Sequence, residues 1–245
     1  MNLKTIIFLF FIISFISCNQ NKNIETIYED GKIKEIHFSN NANFIDSSYY
    51  YNEEGITKIF YLEKDTIQIK NYSKKDILIS EGKKINNQNI GLWNFYSTNK
   101  QLNKIIEYKY ICDSSYLNQA WHFKDGLLDN RSSNYYTILS AQKYKKGEKF
   151  KLNIYYNKLL CENSKVELYF SSKIDSTYCN INNIELMWSE FLGDTLSTSF
   201  LVFKSIGNKN IRGIIKEECS NDISNNKEKN YAKRILFFEI PIVIE

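Results

Sequence analysis

Apolar and polar residues alternate along most of this chain, and the alternation breaks at short clusters of Asp, Asn, Lys and Gly. Stretches such as Ile33–Phe38 (IKEIHF) and Thr57–Glu63 (TKIFYLE) place every second side chain on one face, the period of a strand with one buried side. One phrase recurs in the first half, as YEDGKI (Tyr28–Ile33), YNEEGI (Tyr51–Ile56), YSTNKQL (Tyr96–Leu102) and HFKDGLL (His122–Leu128). Each copy is an aromatic residue, a polar run, a turn residue and an aliphatic one. Asp-Gly between alternating runs signals a tight hairpin turn. The copy at Asn99-Lys100 has no glycine and is expected to be the poorest turn. The pattern predicts successive antiparallel hairpins over residues 27–130.

The texture changes after Asp125-Gly126. DNRSSN (Asp129–Asn134) reads as a linker, and strand candidates follow at the spacing of a sandwich. They are Phe150–Tyr156, Lys165–Phe170, Ile184–Trp188, Ser199–Lys204, Asn210–Lys216 and Arg234–Ile244, with a turn at Lys146-Gly147 and a polar loop over Ser220–Asn230. Gly213, inside a strand, points to a bulge or a close backbone approach. The last strand is nearly continuous in apolar residues, which suggests a central place, yet Pro241 cannot donate to a ladder and demands an edge or a bulge there.

Composition supports strands: 18 Tyr, 16 Phe and a single Pro. The net charge of +4 gives no basis for nucleic-acid binding. The N-terminus adds an address. One lysine, Lys4, precedes an apolar run from Ile6 to Ile16, too short to span a bilayer and suited to a secretory signal. The run ends in FISC (Phe15–Cys18), which resembles the lipobox of bacterial lipoproteins, with Phe15 where Leu is usual. The resemblance implies removal of residues 1–17, acylation of Cys18 and a polar tether over residues 18–26. Asn19 is not the Asp that retains enteric lipoproteins in the inner membrane, and no acidic export signal follows the cysteine, so the resemblance implies an outer-membrane protein facing the periplasm. An ordinary cleaved signal with an incidental cysteine is the alternative.

The stretch GKKINNQNIGLWNFYSTNKQLNKIIEY resembles the MORN-variant repeats of the YwqK antitoxin-like family, the match being carried by Gly82, Gly91, Trp93, Tyr96 and Leu102. That resemblance implies a meandering sheet in which each hairpin is buried only with its neighbours' help, and it implies no enzyme. IGNKNIRGIIKE, near the end, is similar to a phrase of Ig-like sandwich domains in bacterial surface lipoproteins. Expected overall is an all-β chain, a MORN-like antiparallel meander followed by an Ig-like β-sandwich over residues 131–245.

Candidate chemistry is sparse. His37 and His122 lie in no metal-ligand spacing, and no G-x-S-x-G elbow, P-loop or dinucleotide glycine phrase occurs. His122, between Trp121 and Phe123, reads as strand packing. The pairs Glu53-Glu54 and Glu217-Glu218 point to opposite faces of a strand and cannot flank one glycosidic bond. Past Cys18, the cysteines Cys112, Cys161, Cys179 and Cys219 allow three full pairings. Cys161–Cys179 is the favoured bridge, with free thiols the alternative, and the lack of C-x-x-C leaves thiol redox chemistry unsupported. No cofactor and no metal are implied.

Trp93, Tyr96 and Trp121 are the candidate binding surface, with cross-strand packing the competing role. By alternation Trp93 and Phe95 share a face and Tyr96 points the other way. The expected function is a non-enzymatic binding or scaffold lipoprotein of the cell envelope, held on the membrane by Cys18 and meeting an envelope protein or glycan. A carbohydrate-binding accessory lipoprotein and an immunity or antitoxin-like protein are the alternatives.

Overall fold

The computed structural model describes residues 23–41, 44–62, 65–140, 143–156, 160–161, 164–191, 196–221 and 230–245. Cys18 and the expected signal segment 1–17 lie outside them. The alternating stretches form strands, and the described residues hold no α-helix. Ten strands follow one another as an antiparallel meander in chain order. They are β1 (Asn23–Glu29), β2 (Lys32–Asn41), β3 (Phe44–Tyr51), β4 (Gly55–Tyr61), β5 (Thr66–Ser73), β6 (Leu78–Ile85), β7 (Gln88–Tyr96), β8 (Leu102–Ile111), β9 (Ser114–Lys124) and β10 (Leu127–Leu128). Because β1 starts at Asn23, the end of the expected tether is strand.

The hairpin turns follow local chemistry. Asp30-Gly31 and Asp125-Gly126 both adopt positive φ at their two central residues, as a two-residue hairpin loop requires. Two further turns reach the same geometry without glycine, Asn86-Asn87 and Cys112-Asp113. Asn and Asp tolerate the left-handed region, and Cys112 is held there by a covalent tie described below.

Eight more strands build a sandwich. One sheet has the order β11 (Tyr136–Leu139), β13 (Lys149–Tyr156), β16 (Leu196–Val202). The other runs β12 (Lys143–Tyr144), β18 (Asn230–Ile244), β17 (Gly207–Asn221), β14 (Lys165–Ser171), β15 (Met187–Glu190). Their inward side chains recur with period two. Phe150, Leu152, Ile154 and Tyr156 of β13 meet Val166, Leu168 and Phe170 of β14, with Ile211 and Ile215 of β17 and Leu236, Phe238, Ile240 and Ile242 of β18. Fully burying a large apolar side chain contributes about 1.5–3 kcal/mol, so this cluster is the main source of stability.

Gly213 explains itself here. A Cβ on it would lie 2.3 Å from the Tyr169 carbonyl oxygen and 2.5 Å from the Phe238 ring, so the residue marks close approach. The ladders through it show no register shift, so it is not a bulge. Pro241 pairs with Asn210 of β17, while β12 reaches only Val243 and Ile244 on the other flank of β18. The N–H and C=O of Phe237 point to that outer flank, where side chains of β9 and β11 bond them, and alternation aims the Pro241 nitrogen the same way. The proline therefore leaves no ladder bond unmade.

By contacts the chain divides into two compact units, Met1–Ile77 and Leu78–Glu245. The second unit includes both the last five strands of the meander and the sandwich. Within it, Asn118 is fully buried and acts as a graft between β9 and β18: its amide nitrogen donates to Glu107 and to Phe237 O, and its oxygen accepts from Phe237 N–H. Tyr116 and Tyr136 donate to Ile235 O and Phe237 O. The register shift between Glu107 and Tyr108 places Asn118 as an extra residue in β9 and turns it onto β18.

DNRSSN is a fixed turn rather than a loose linker. The Asp129 carboxylate accepts from the Arg131 amide and the Ser132 hydroxyl. The Ser132 bond first, then the Arg131 amide, holds that carboxyl below its ordinary range. Ser133 is fully buried, accepts from His122 N–H and donates to Asp129 O, and Asn134 bridges to Ala120. The expected strand at Ile184–Trp188 starts later, at Met187. Ile181–Asn183 form a 3-10 turn, and Ile184 and Leu186 pack against a cluster of Ile174, Tyr178 and Phe237.

Candidate functional site

Trp93, Tyr96 and Trp121 do not form one platform. Trp93 is 5% exposed, lies over Gly82 and donates its indole N–H to Lys83 O at 3.0 Å. A Cβ on Gly82 would sit 2.2 Å from the indole, so glycine is required beneath it. Trp93 shares its face with Phe95, whose ring carries Lys104 Nζ at 4.9 Å. Tyr96 turns to the opposite face and donates to Glu81 at 2.7 Å. Burial, then this bond, pushes its hydroxyl pKa up to about 12. Trp121, paired with Ile105, lies on the Tyr96 side and stacks on Tyr135 with ring centroids 6.0 Å apart. Trp93 is buried, whereas Tyr96 and Trp121 each have a partner side chain and stay half-buried.

The cysteines pair differently from the expectation. Cys161 is bonded to Cys219, and Cys112 to Cys179, so the Cys161–Cys179 bridge is not formed. Strand order decides this. β17 lies beside β14, which brings Cys219 to the segment that precedes β14. The Cys112-Asp113 turn sits against the loop after β14, and Cys112 N–H also donates to Thr177 O at 3.1 Å.

Beside the Cys161–Cys219 bond lies a buried charge. Glu217 is fully covered and accepts from Tyr156 Oη, Leu160 N–H, and Arg234 Nε and Nη2. The Arg234 guanidinium stands 4.9 Å above the Tyr156 ring. Burial drives the Tyr156 hydroxyl well above its ordinary range. Glu218 faces the other way and pairs with Lys216 at 2.7 Å. Glu217 is sealed from solvent, and the bonds it accepts tie β13, the segment before β14, β17 and β18 together.

The chemistry that sequence reading missed lies in β1–β5, where Glu25 and Glu35 fall on one face and Lys58 and Lys70 on the other. Residues paired across a ladder share a face. On one face the rows are Glu25, His37, Ser48, Ile59, Ile69 and Ile27, Glu35, Tyr50, Thr57, Asn71. There a line of bonds runs from Glu35 to His37 Nε2 (3.4 Å), from His37 Nδ1 to Ser48 Oγ (2.7 Å), and on to Tyr61 Oη (3.3 Å). The order Glu–His–Ser has the residue types of a hydrolase triad. Ser48, however, is mid-strand between His37 and Ile59 and fully buried, so its hydroxyl has no approach for a reacting carbonyl. The line locks three strands together.

The opposite face carries Ile24, Phe38, Ser47, Phe60, Gln68 in one row and Thr26, Ile36, Tyr49, Lys58, Lys70 in the next, with Tyr51, Ile56 and Tyr72 beyond. Lys58 Nζ stands over two rings, 4.3 Å from the centroid of Tyr72 and 5.1 Å from that of Tyr49, and Phe38 contacts Tyr49 at 4.8 Å. The carboxylates Glu25 and Glu35 lie on one face, and the lysines Lys58 and Lys70 on the other. Alternation within each strand was the signal in the sequence, and only the register between strands makes it a polarised sheet.

An open groove of about 750 Å³ at one turn end of these strands is lined by both signs, among them Glu29, Lys32, Lys34, Glu53 and Lys74. Lys34 pairs there with Glu29 at 2.8 Å. Among the described residues no group of three or more His, Cys, Asp or Glu is placed to hold a metal, and no helix is long and apolar enough to cross a membrane. No family model, curated protein or solved structure matches the chain.

Proposed function

We propose that this chain is a lipid-anchored, non-enzymatic binding or scaffold module of the bacterial cell envelope, attached through acyl chains on Cys18. The polarised sheet β1–β5 is the observation that carries the reading. Its two faces hold half-exposed rings, lysines and hydrogen-bonded polar groups, an arrangement suited to contact over an area. The two clusters that resemble catalytic machinery, at Ser48 and Glu217, are covered and internally bonded. The lipobox-like FISC motif supports the anchor, and the disulfides Cys112–Cys179 and Cys161–Cys219 agree with an exported, oxidising compartment.

Two measurements test this. Metabolic labelling with a fatty-acid analogue is expected to mark the wild type and not a Cys18→Ala variant, and label retained by the variant contradicts acylation at that residue. Pull-down of the detergent-solubilised protein from its native membrane is expected to recover envelope proteins, and fewer of them after Lys58→Glu with Tyr49→Ala. Unchanged recovery contradicts the role of the sheet.

A further inference from the structure

The Lys58 face of β1–β5 has the chemistry of a membrane-surface contact, and we propose that it rests on an anionic phospholipid bilayer. The inference builds on the lipid-anchor reading, and it names the face that meets the membrane. Five residue steps separate Cys18 from Asn23, the first residue of β1. At about 3.4 Å per residue this reach is at most roughly 17 Å, so an acylated Cys18 holds β1 close to the headgroups. Either face of the sheet could then turn toward the lipid.

Charge decides between them. A face bearing Glu25 and Glu35, only partly offset by Lys34 beside Glu29, is repelled by an anionic surface, whereas the Lys58 ammonium on the other face is attracted to it. The apolar part fits as well. Tyr49 and Tyr72 lie against the Lys58 ammonium, Phe38 packs on Tyr49, and Phe60 shares the face. Two residues on the same side of β1 are largely exposed, Ile24 at 61% and Tyr28 at 62%. Aromatic rings with lysines are the side chains that settle at the headgroup level, where the ring body is apolar and the polar end stays wet.

The test uses the residue 18–245 chain made without its signal segment, hence unacylated but retaining every described residue, in flotation with vesicles. It is expected to float with phosphatidylcholine–phosphatidylglycerol vesicles and not with phosphatidylcholine alone, and Lys58→Glu with Lys70→Glu is expected to cut binding at least about tenfold. Acetylation footprinting of the wild type needs no variant to fold. Lys58 labelling should fall several-fold on the anionic vesicles while Lys149 and Lys151 of the sandwich stay unchanged. Equal binding to both vesicle types, indifference to charge reversal, or full reactivity of Lys58 in the bound protein would overturn the proposal. Protection of Lys58 by an acidic polysaccharide with none by vesicles would assign the face to a glycan, and overturns it too. Because no arm uses the acyl chain, failure of Cys18 labelling strikes the anchor reading alone.

Discussion

In β13, and in β18 from Leu236 onward, every second side chain is sealed from solvent, whereas in β1–β5 the alternate side chains divide between two faces that are both part-exposed. Both regions carry the same two-residue period. In the sandwich that period feeds a continuous core that includes Phe150, Leu152, Phe238 and Ile240. Among the described side chains of β1–β5 the buried apolar one is Ile69, and cohesion comes from the ladders, the Glu35–His37–Ser48–Tyr61 line and the Tyr49 and Tyr72 rings at Lys58. Alternation thus specifies a strand without specifying what covers it. Hydrophobic burial supplies stability in one region and leaves surface for contact in the other.

Truncations should expose that contrast most strongly. Phe238→Ala, at a fully buried ring, is expected to cost about 3–5 kcal/mol. Phe60→Ala, on the half-exposed face, should cost well under half as much. Urea midpoints compared across the pair test this, and similar losses would erase the distinction. Glu217→Ala strands the Arg234 guanidinium and is expected to cost about 3–5 kcal/mol. Glu35→Ala, in the more open line, should cost about 1 kcal/mol.

Gly82→Ala forces a methyl group into the Trp93 indole and is expected to cost about 1–3 kcal/mol, with a red shift of tryptophan emission as the ring lifts. The alkaline limb gives a finer comparison. The Tyr96 hydroxyl, raised to about 12, stays protonated beyond the value of 10.0 at which an unconstrained tyrosine ionises. A raised pKa in the folded state means that its contribution is complete below pH 10 and disappears as pH climbs toward 12. Stability measured across that window should fall less in Tyr96→Phe than in the wild type, and parallel curves would contradict the assignment. The smallest effect is expected for Lys58→Ala, about 0.5–1 kcal/mol from the lost cation–π contacts, seen as a slight shift in midpoint.

Much of the fold was legible in the sequence because it is local. The period-two runs located most strands, and Asp30-Gly31 and Asp125-Gly126 marked hairpins whose backbone angles their residues favour. Alternation also separated Trp93 and Phe95 from Tyr96. What escaped reading depends on which strands become neighbours. Cys161 was expected to meet Cys179 on grounds of nearness in sequence, yet the β14–β17 ladder brings it to Cys219. Asn118 looks like any polar residue until a bulge in β9 turns it onto the β18 edge. DNRSSN has linker composition, but Ser133 is fixed by bonds to backbone groups that folding places around it. The candidate site was less legible still, because segregation of carboxylates from lysines depends on the register of five strands. Of Trp93, Tyr96 and Trp121, singled out for their chemistry, Trp93 is buried, while Tyr96 and Trp121 stay half-buried on the opposite face.

The central claim is that the sandwich is held by its buried core, whereas β1–β5 are held by ladders and part-exposed side-chain contacts that leave a face open to the proposed bilayer. Amide hydrogen exchange of the residue 18–245 chain, in detergent and in anionic vesicles, tests it most directly. β13, β17 and β18 are expected to exchange slowest in both media and to be indifferent to lipid, whereas β1–β5 should exchange faster in detergent and slow markedly on the vesicles. Exchange in β1–β5 as slow as in β18, or unaltered by the bilayer, would contradict the account.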